Sequence, residues 1–592
     1  MPTLYGNTTG LSPHATKTLE RIYRRRVPLE HISTPELIRA LAEASHETGR
    51  QVGALVHRSG EIDYVIVGGG SAGCALAGRL SEDPGTTVCV LEAGGEDHSV
   101  FVRAPLGIIV MVPFGLMNSW HYFTTPQKGF NGRKGFQPRG KVLGGSSSIN
   151  AMVYTRCNRN DYDGWAAAGN PGWSYADLLP LFKRAENSHC FSNNEYHGNS
   201  GPLHVSYLRS PSPANEAFRA ACVEKGIPLN PDYNGATQFG ISPTQATQYN
   251  GERWNAARAY LHANADRRNL TVLKGCHARK VVFDGKTATG VELRRDGQVE
   301  QIRARKEVIL SAGAFGSPQL LMLSGIGPAA HLQQHGIAVL HDLPGVGQNL
   351  QDHVTSNLIY RTPRWKDTVG ISVRGAWEII KAIFQWRRER KGWITTCVSE
   401  SNGFISTCGN PDHPDIQLAF LPSIVDDHTR KTHLGHGYTL HTTLMRPKSR
   451  GSVTLQSADP HQPPAIDPGF YTHPDDMAVA IKGARMGFEI LEAKAMAAYR
   501  GKRLHAVDVN DDKAMEAFLR ATCDTEYHPV GTCKMGPDSD PMAVVDAQLR
   551  VKGVLGLRVV DASIMPTLTS GNTNAPSMVI GEKAADLMRS GA

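Results

Sequence analysis

One segment, residues 61–95, constrains the fold of this chain more than any other. A β-branched run at residues 62–67 predicts a buried strand, and it leads directly into Gly68, Gly70 and Gly73, which have G-x-G-x-x-G spacing. Gly68 would permit a tight turn, Gly70 would let the backbone approach a diphosphate, and Gly73 would let a helix pack closely on the strand. The segment therefore predicts a dinucleotide-binding unit.

The residues after the glycines complete this unit. A small-residue helix is predicted for Ser71–Leu80, and its first free N–H groups, at Ser71 and Ala72, would bind the diphosphate. A second apolar run, residues 87–91, ends at Glu92, whose carboxylate can accept hydrogen bonds from ribose hydroxyls. Isolated glycines mark many ordinary turns. Here strand, turn, helix, second strand and acid occur in order, which favours the binding interpretation.

Length and charge limit the number of domains and the kinds of partner that the chain can have. The chain has 592 residues, more than one compact core usually accommodates, so we expect two domains or one domain with large insertions. The net charge of +8 is spread thinly, and no dense Lys/Arg tract is interleaved with aromatic residues. We therefore predict no nucleic acid partner, whereas weak peripheral contact with an anionic membrane stays open.

Cysteine spacing and apolar runs bear on the compartment. The ten cysteines include no C-x-x-C pair, which suits a reducing compartment, and no bound metal is predicted. The first residues lack the apolar core of a secretion signal. The longest apolar run, residues 106–117, is too short to span a bilayer; it could form a lid, a membrane-facing patch or ordinary core. We expect a cytoplasmic protein.

The chain divides into four predicted parts. Residues 1–60 form an N-terminal helical extension, residues 61–358 a cofactor-binding domain, residues 359–520 a substrate-binding domain, and residues 521–592 a return to the first domain. We predict an antiparallel sheet over residues 269–293, a strand at 307–312 and a helix from Ser317. Further predictions are helices at 376–390, 474–498 and 577–588, and strands at 415–421, 438–445, 452–456 and 557–561.

Five longer motifs resemble those of the glucose–methanol–choline (GMC) oxidoreductase family. They occur in family order, at residues 140–154 (GKVLGGSSSINAMVY), 313–327, 344–353 (PGVGQNLQDH), 528–536 (HPVGTCKMG) and 559–576. The likeness covers residues 61–592 and is greatest to bacterial alcohol and choline dehydrogenases, particularly the membrane-associated type of alkane degradation. It implies an α/β chain (α+β overall) with a Rossmann-like FAD-binding domain and a substrate-binding domain built on an antiparallel sheet flanked by helices.

The resemblance implies FAD as the cofactor. Gly68, Gly70, Gly73 and Glu92 would hold its ADP half. Further residues would contact the rest of FAD: the loop under the flavin contributes Val142, Gly145, Asn150, Met152 and Val153; the adenine contact is Ala278; the ribityl and diphosphate contacts are Asp561 and Ala562; the pyrimidine edge meets the segment Asn572, Thr573 and Asn574. Some relatives attach FAD through a histidine at the position of Ile149, so we expect non-covalent FAD here.

The same resemblance assigns the chemistry to His528 and Asn572. Oxidising an alcohol requires a base for the hydroxyl proton while hydride leaves for the flavin, and an imidazole can serve near neutral pH. A neutral amide can position the same oxygen. Either residue alone would more often be a surface or turn residue, but both lie inside the C-terminal motifs. A further departure is Cys157, which replaces the family's usual glycine and has no assigned effect.

The expected activity is oxidation of a primary alcohol to the aldehyde, with electrons passed to a quinone or another acceptor. Four alternatives stay open: an NAD-dependent dehydrogenase, an oxidase that uses O2, a light-driven decarboxylase, and a catalytically silent structural flavoprotein. The light-driven decarboxylases lack the motif histidine, so His528 argues against that activity. His528 also argues against a silent structural flavoprotein. Within the family, choline and aryl alcohols are alternative substrates, and a peripheral location on the inner membrane is an alternative to a purely cytoplasmic one.

Overall fold

A five-stranded parallel sheet forms around the glycine-rich segment in the computed structural model, which describes residues 62–115 and 117–591. Its strands, in spatial order, are Leu270–Leu273, Val88–Leu91, Tyr64–Val67, Glu307–Leu310 and Leu557–Val559. The central strand is buried along its whole length, and Val65 pairs with Cys89 on one side and with Val308 on the other. A fully buried parallel strand requires a continuous apolar run, which is what the sequence supplies.

Helices from opposite ends of the described chain meet on this sheet. The first is Ser71–Leu80, with the bounds predicted, and the second is the C-terminal helix Asn574–Arg589. A Cβ atom added to Gly581 would lie 2.4 Å from the carbonyl oxygen of Ala72, so the two helices are in close backbone contact. The predicted C-terminal return to the cofactor sheet is thus present as the fifth strand and its following helix.

The prediction for residues 269–293 was partly wrong. Leu270–Leu273 does not join an antiparallel sheet but lies parallel to Val88–Leu91 at the edge of the parallel sheet. Antiparallel pairing begins with His277–Asp284, which turns at Gly285 into Thr287–Arg295 and then Gln298–Arg303. The two types of strand are separated by only three residues, so local alternation of apolar residues could not distinguish them.

The second large sheet of the described chain has six strands. Its order is Asp524–Thr525, Val354–Arg361, Gly437–Leu444, Ile416–Leu421, Ser401–Ile405 and Gly240–Pro243, and every pairing is antiparallel. These strands come from three of the four predicted parts, and the boundaries at 358 and 520 stay predictions. The fold class, a Rossmann-like FAD-binding fold joined to an antiparallel sheet with flanking helices, is confirmed.

One face of the antiparallel sheet packs against the helix Pro474–Leu491. Gly483 and Gly487 face the sheet, and Cβ atoms added to them would lie 2.6 Å from Ile416 and 2.7 Å from Leu358. Because side chains alternate across a strand, residues next to those buried under the helix point to the opposite face. Gln417, Ala419, Leu421, His441 and Thr443 occupy that face and line a cavity.

The remaining helices and strands support this frame. The other α-helices in the described part of the chain are Val100–Arg103, Ile108–Phe114, Arg159–Ala167, Tyr175–Ala185, Ala214–Glu224, Ala256–Tyr260, Gly313–Leu323, Ala329–Gln334, Val373–Glu389 and Asp512–Thr522. The short strands are Tyr122–Phe123, Phe136–Gln137, Glu186–Ser188, Leu203–Tyr207, Gln245–Ala246, Gln248–Tyr249, Glu252–Arg253, Ile326–Gly327, His341–Asp342, Ser452–Thr454 and Ala465–Asp467.

Several predicted bounds shift in the structure. The helix predicted from Ser317 begins at Gly313, because the Asp561 carboxylate accepts the Gly313 N–H and the Ser317 hydroxyl. The helix predicted to reach residue 498 ends at Leu491 and is followed by a single 3-10 turn. Among the described helices, none is long and apolar enough to cross a bilayer. The predicted N-terminal extension lies outside the described residues.

Candidate active site

A cavity of about 550 Å³ lies between the carboxyl ends of the parallel strands and the open face of the antiparallel sheet. This is where open α/β sheets bind their ligands. Most of the residues predicted to bind FAD or substrate line it: Gly68, Gly70, Ser71, Ala72, Glu92, Gly145, Asn150, Met152, Val153, Ala278, His528, Asp561, Ala562, Asn572, Thr573 and Asn574. Gly73 and Val142 lie behind the wall instead.

Each glycine of the glycine turn is required for a different structural reason. Gly68 has φ +107°, and its Cβ would lie 2.3 Å from the carbonyl oxygen of Ser311. Gly73 acts through packing, since its Cβ would lie 2.0 Å from the carbonyl oxygen of Gly68. Gly70 has an ordinary φ of −84°, and its Cβ would come no closer to a described residue than 3.9 Å, at Ser311. The space in front of Gly70 is therefore left for a ligand.

The start of the first helix faces the same space. Its N-cap, Gly70, brings no side chain to satisfy the first N–H groups, and Ser71 and Ala72 line the cavity. Ser71 Oγ donates to Asn574 Oδ1 over 2.7 Å, which ties the glycine turn to the C-terminal helix. Free N–H groups at a helix start suit a diphosphate. The open face at Gly70 and these N–H groups fit the ADP half of FAD.

Glu92 stands at the end of the second strand, as predicted. Its two carboxylate oxygens accept the N–H groups of Gly69 (3.0 Å) and Gly94 (2.7 Å), which orients the carboxylate at the cavity wall. Burial raises the pKa of Glu92 to about 7. Each oxygen keeps acceptor capacity, so a ligand hydroxyl that donates to it would both find a partner and favour the ionised form.

Asp561 lines the cavity, but its carboxylate is engaged within the protein. One oxygen accepts the Ser563 N–H and hydroxyl, and the other accepts the Gly313 N–H and the Ser317 hydroxyl. Burial raises the pKa of Asp561. This side chain joins the last parallel strand to the start of Gly313–Leu323, so contacts with a ligand would come mainly from the backbone around it.

Arg253, which lies in none of the five motifs, holds the loop that carries Asn150, Met152 and Val153. The buried Arg253 guanidinium donates to Asn150 Oδ1 (2.7 Å), to the carbonyl oxygen of Ser147 (3.1 Å) and to that of Val102 (2.9 Å). Burial lowers the pKa of Arg253 to about 9. Arg253 therefore fixes the loop conformation from behind the cavity wall, and no local motif around it signals that role.

At the far end of the cavity, His528 and Asn572 are in direct contact. Asn572 Nδ2 lies 3.1 Å from His528 Nε2, and Asn572 Oδ1 accepts from Gln417 Nε2 at 3.1 Å. The Gln417 contact orients the amide so that its N–H groups point towards the imidazole. The two residues predicted from separate motifs are thus brought together, and Gln417, from the antiparallel sheet, positions one of them.

A chain of hydrogen bonds assigns the tautomer of His528. His353 Nε2 lies 3.1 Å from the carbonyl oxygen of Met445, which can only accept, so His353 carries its proton on Nε2. Its Nδ1 must then accept from His528 Nδ1, 2.9 Å away. The unprotonated nitrogen of His528 is therefore Nε2, which faces Asn572 and the cavity. Burial lowers the pKa of His353 well below its usual value and keeps it neutral.

Asp352 fixes the backbone beneath His528. Its carboxylate accepts the His528 N–H (2.8 Å), the Gln137 amide (2.8 Å) and the Thr525 hydroxyl (2.5 Å), and burial raises its pKa to about 6. Asp352 and His353 end the motif at 344–353, and nothing in that motif taken alone indicates a role for either residue.

Burial lowers the pKa of His528 to about 4, so its imidazole is neutral at physiological pH. Two charges modify this effect: Glu526 raises the pKa and Arg139 lowers it. Burial alone would raise the pKa of Glu526, but His441, whose Nδ1 lies 2.6 Å from Glu526 Oε1, brings it to about 2. An anionic carboxylate thus lines the cavity near the imidazole.

This charge leads to a testable prediction. In Glu526→Gln the anion that stabilises protonated His528 is removed, so the pKa governing flavin reduction should decrease and the maximal rate should fall by roughly tenfold, because the imidazole becomes a weaker base. The measurement is the pH profile of anaerobic flavin reduction by alcohol. Asp475→Asn, which removes an exposed carboxylate, is the matched control. An unchanged pH profile in Glu526→Gln would contradict the electrostatic role.

Two departures from the family pattern have structural counterparts. Ile149 is buried with Val102 and Met111 and also reaches the cavity wall. Cys157 has φ +67°, a conformation that favours glycine, yet the turn is retained, and its Sγ lies 3.8 Å from the carbonyl oxygen of Asn572. The cysteine therefore packs beneath the loop that presents Asn572, and not at the protein surface.

The apolar run at 106–117 is divided between the cavity wall, the core and the surface. Ile108, Ile109, Val112 and Pro113 line the cavity, Met111 is buried, and Ile109 and Val110 are partly exposed at 37% and 41%. The helix Ile108–Phe114 is a wall between the cavity and the surface.

Comparison with known proteins identifies the family. Two domain models described as GMC oxidoreductase match residues 62–355 and 447–581, which is more than half of the chain. This chain belongs to the GMC oxidoreductase family. The relatives of this GMC oxidoreductase include an alcohol dehydrogenase (acceptor) of Pseudomonas putida and an oxygen-dependent choline dehydrogenase of Sinorhizobium medicae. Each is 44% identical over 533 residues, covering 89% of this chain and 95% of the relative.

Solved structures agree with this family. The pyridoxine 4-oxidase from Mesorbium loti is 32% identical with a TM-score of 0.81, covering 89% of this GMC oxidoreductase and 99% of that chain. An FAD-dependent oxidoreductase from Chaetomium thermophilum is 28% identical with a TM-score of 0.82, covering 90% and 99%. The chain is therefore an oxidoreductase acting on CH–OH donors, and its family implies an FAD cofactor.

Proposed function

We propose that this enzyme oxidises a primary alcohol to the aldehyde with non-covalently bound FAD and passes the electrons to a quinone or another acceptor. One observation carries the proposal: the unprotonated Nε2 of His528 and an amide N–H of Asn572 face the cavity whose other end is formed by the glycine turn. A base and a hydrogen-bond donor beside a dinucleotide cradle are what alcohol oxidation requires.

The chain's own residues would act as follows. An alcohol that enters between His528 and Asn572 donates its hydroxyl proton to His528 Nε2, while the Asn572 N–H donates to the alcohol oxygen. Asp352 and His353 hold the imidazole in this orientation through its backbone N–H and its Nδ1–H. FAD, when bound, supplies the hydride acceptor at flavin N5. Proton removal and hydride loss together convert CH–OH to C=O.

The cavity wall supports an uncharged, apolar substrate. From Gln417, which contacts Asn572, the lining continues along Ala419 and Leu421 to Val425. The facing wall is the helix Ile108–Phe114. These side chains are aliphatic and would accept a hydrocarbon chain by burial of apolar surface, which contributes about 25 cal/mol per Å².

Choline is the second candidate, and the buried anion of Glu526 is the observation that favours it. A quaternary ammonium group is recognised by negative charge and by aromatic faces. Here Glu526 is already paired with His441. The wall along Ala419, Leu421 and Val425 is aliphatic, and Tyr527 brings an aromatic ring to the cavity beside Glu526. We therefore favour an aliphatic alcohol over choline, and over an aryl alcohol for the same reason.

A quinone acceptor would be reached from the cytoplasmic side of the inner membrane, where we propose that the enzyme works. The name of the Pseudomonas putida relative specifies an acceptor, which supports a carrier over O2. The names of the choline-oxidising relatives specify oxygen, so the oxidase is the alternative to be tested.

The decisive experiment is an alcohol panel with a dye or soluble quinone as acceptor, repeated with O2 alone. We expect the highest kcat/KM with primary aliphatic alcohols and faster turnover with the dye than with air. Preference for choline would establish the second candidate. Stoichiometric hydrogen peroxide at a comparable rate in air would make the enzyme an oxidase, and no turnover of any alcohol would revive the silent flavoprotein.

The mode of FAD attachment gives a separate prediction. The position of covalent attachment in some relatives is occupied by Ile149, whose aliphatic side chain cannot form such a bond. Acid precipitation of the yellow protein should therefore release the whole flavin into the supernatant, identified as FAD by chromatography. Flavin that stays with the precipitated chain would show that another residue forms a covalent link.

A further inference from the structure

The helix Val373–Glu389 carries two apolar stripes on opposite faces. The inner stripe packs on the protein: Ala382 and Trp386 are buried in a cluster with Leu106 and Ile394. The second stripe faces solvent. We call it the outer stripe; it consists of Val373, Trp377, Ile380 and Phe384, which are exposed by 91%, 58%, 45% and 62%. The spacing i, i+4, i+7, i+11 places these four side chains on one line along the helix.

Cations border the outer stripe. Arg374, Lys381 and Arg388 follow one another at intervals of seven residues, so they form a row along one flank of the stripe. Arg387 lies on the other flank, and all four side chains are exposed. The acidic residues of the helix, Glu378 and Glu389, lie beyond this row on the same flank, and Glu378 Oε1 pairs with Lys381 Nζ at 3.0 Å. An apolar line bordered by arginine and lysine is typical of helices that lie in a membrane interface.

The exposed apolar surface continues beyond the helix start. Ile371 is 51% exposed and pairs through its backbone with Leu434, which is 75% exposed. Contiguous apolar surface with polar borders marks an interaction site, since single exposed apolar residues are common but clusters are not. Its aromatic residues, Trp377 and Phe384, favour the boundary between lipid headgroups and acyl chains.

We propose that the outer stripe docks this enzyme on an anionic lipid bilayer, with the helix parallel to the membrane plane. The charge decides between a lipid surface and a neutral protein groove. Arg374, Arg387 and Arg388 are exposed cations beside one apolar line, and Lys381, which is paired with Glu378, is a fourth. Each cation near an anionic surface adds to the binding. The apolar side chains enter the boundary region, and the long Arg and Lys side chains reach the headgroups.

The position of the helix connects this surface to the cavity. Its inner stripe rests on Leu106, and the helix Ile108–Phe114, which lines the cavity, begins two residues later. Ile109 and Val110 of that helix are partly exposed. An apolar alcohol or a quinone dissolved in lipid would therefore be delivered beside the cavity wall. This consequence rests on the proposed function, whereas the docking itself does not.

The test is co-sedimentation of the FAD-loaded full chain with vesicles of phosphatidylglycerol and phosphatidylcholine, and with phosphatidylcholine alone. Wild type should bind the anionic vesicles and be released by high salt. Trp377→Ser/Phe384→Ser should weaken binding at least roughly tenfold, because two interfacial aromatic residues are lost. Arg374→Gln/Lys381→Gln/Arg388→Gln should weaken binding to anionic vesicles by roughly fivefold for each charge removed.

The matched control is Leu229→Ser/Leu555→Ser, which removes two apolar side chains exposed by 62% and 67% on other elements, and it should bind like wild type. Dye-linked turnover of a short alcohol without vesicles should be the same in all variants, so failure of docking is distinguishable from failure of the proposed activity. Absent wild-type binding, or equal binding by the stripe variant, would overturn the proposal. So would lipid-free dimers that the stripe variant abolishes, because a second copy would then cover the stripe.

Discussion

Replacing His528 by alanine should slow the reduction of flavin by alcohol by roughly 10²–10⁴-fold, the usual contribution of a positioned general base. Its Nε2 is the unprotonated nitrogen that faces the cavity, and its Nδ1 is engaged by His353. FAD content should stay near wild type, because the hydrogen-bond partners of His528 are Asp352, His353 and Asn572, and none of them belongs to the glycine turn. Asn572→Ala should act in the same direction with a smaller effect, since His528 can still hold the alcohol oxygen.

The measurement is anaerobic stopped-flow flavin reduction across pH. His528 is active as the neutral base, so the rate is retained above its pKa and lost as pH falls through it. With a pKa of about 4, the wild-type rate should be constant near neutrality and decrease only in acid, a decrease that His528→Ala should lack. The matched control is His461→Ala, which changes a histidine of the same cavity whose ring is tilted by 47° against that of His277. Equal rates and pH profiles for wild type and His528→Ala would show that another residue is the base.

Substituting Gly70 by valine should abolish FAD binding. The backbone at Gly70 has a φ that valine can adopt, and beyond its chain neighbours the nearest described atom to its Cβ would be the Ser311 carbonyl oxygen at 3.9 Å, so the new side chain would extend into the space left for the diphosphate. The expected product is a folded but colourless apoprotein. This separates Gly70 from Gly68 and Gly73, where an added Cβ would collide with backbone and disturb folding itself.

Flavin absorbance per chain measures the loss, and circular dichroism with thermal unfolding measures the fold. Gly164→Val is the control, because it makes the same change at an exposed helical glycine where an added Cβ has no described neighbour within 4 Å. It should keep full flavin occupancy. Full occupancy in Gly70→Val would mean that the glycine turn is not the cofactor site.

Local sequence signals predicted the strand–turn–helix unit around the glycines well, because that unit is built from consecutive residues. The strand, the helix Ser71–Leu80 and Glu92 lie within thirty-one residues of one another, and their side chains and glycines specify the turn directly. The same reasoning failed for Leu270–Leu273. Apolar alternation specifies which face of a strand is buried but not which neighbour it pairs with.

The sequence by itself determined the family and the glycine turn, and it indicated His528 and Asn572 as the proposed catalytic pair, because each is carried by a contiguous motif. The tertiary structure alone decided the state of the imidazole. His353 and Met445, from two segments remote in the chain, set the tautomer of His528, and burial in the folded protein lowers its pKa. A proton's position depends on distances of about 3 Å between groups that the chain brings together only on folding, and no local pattern encodes such distances.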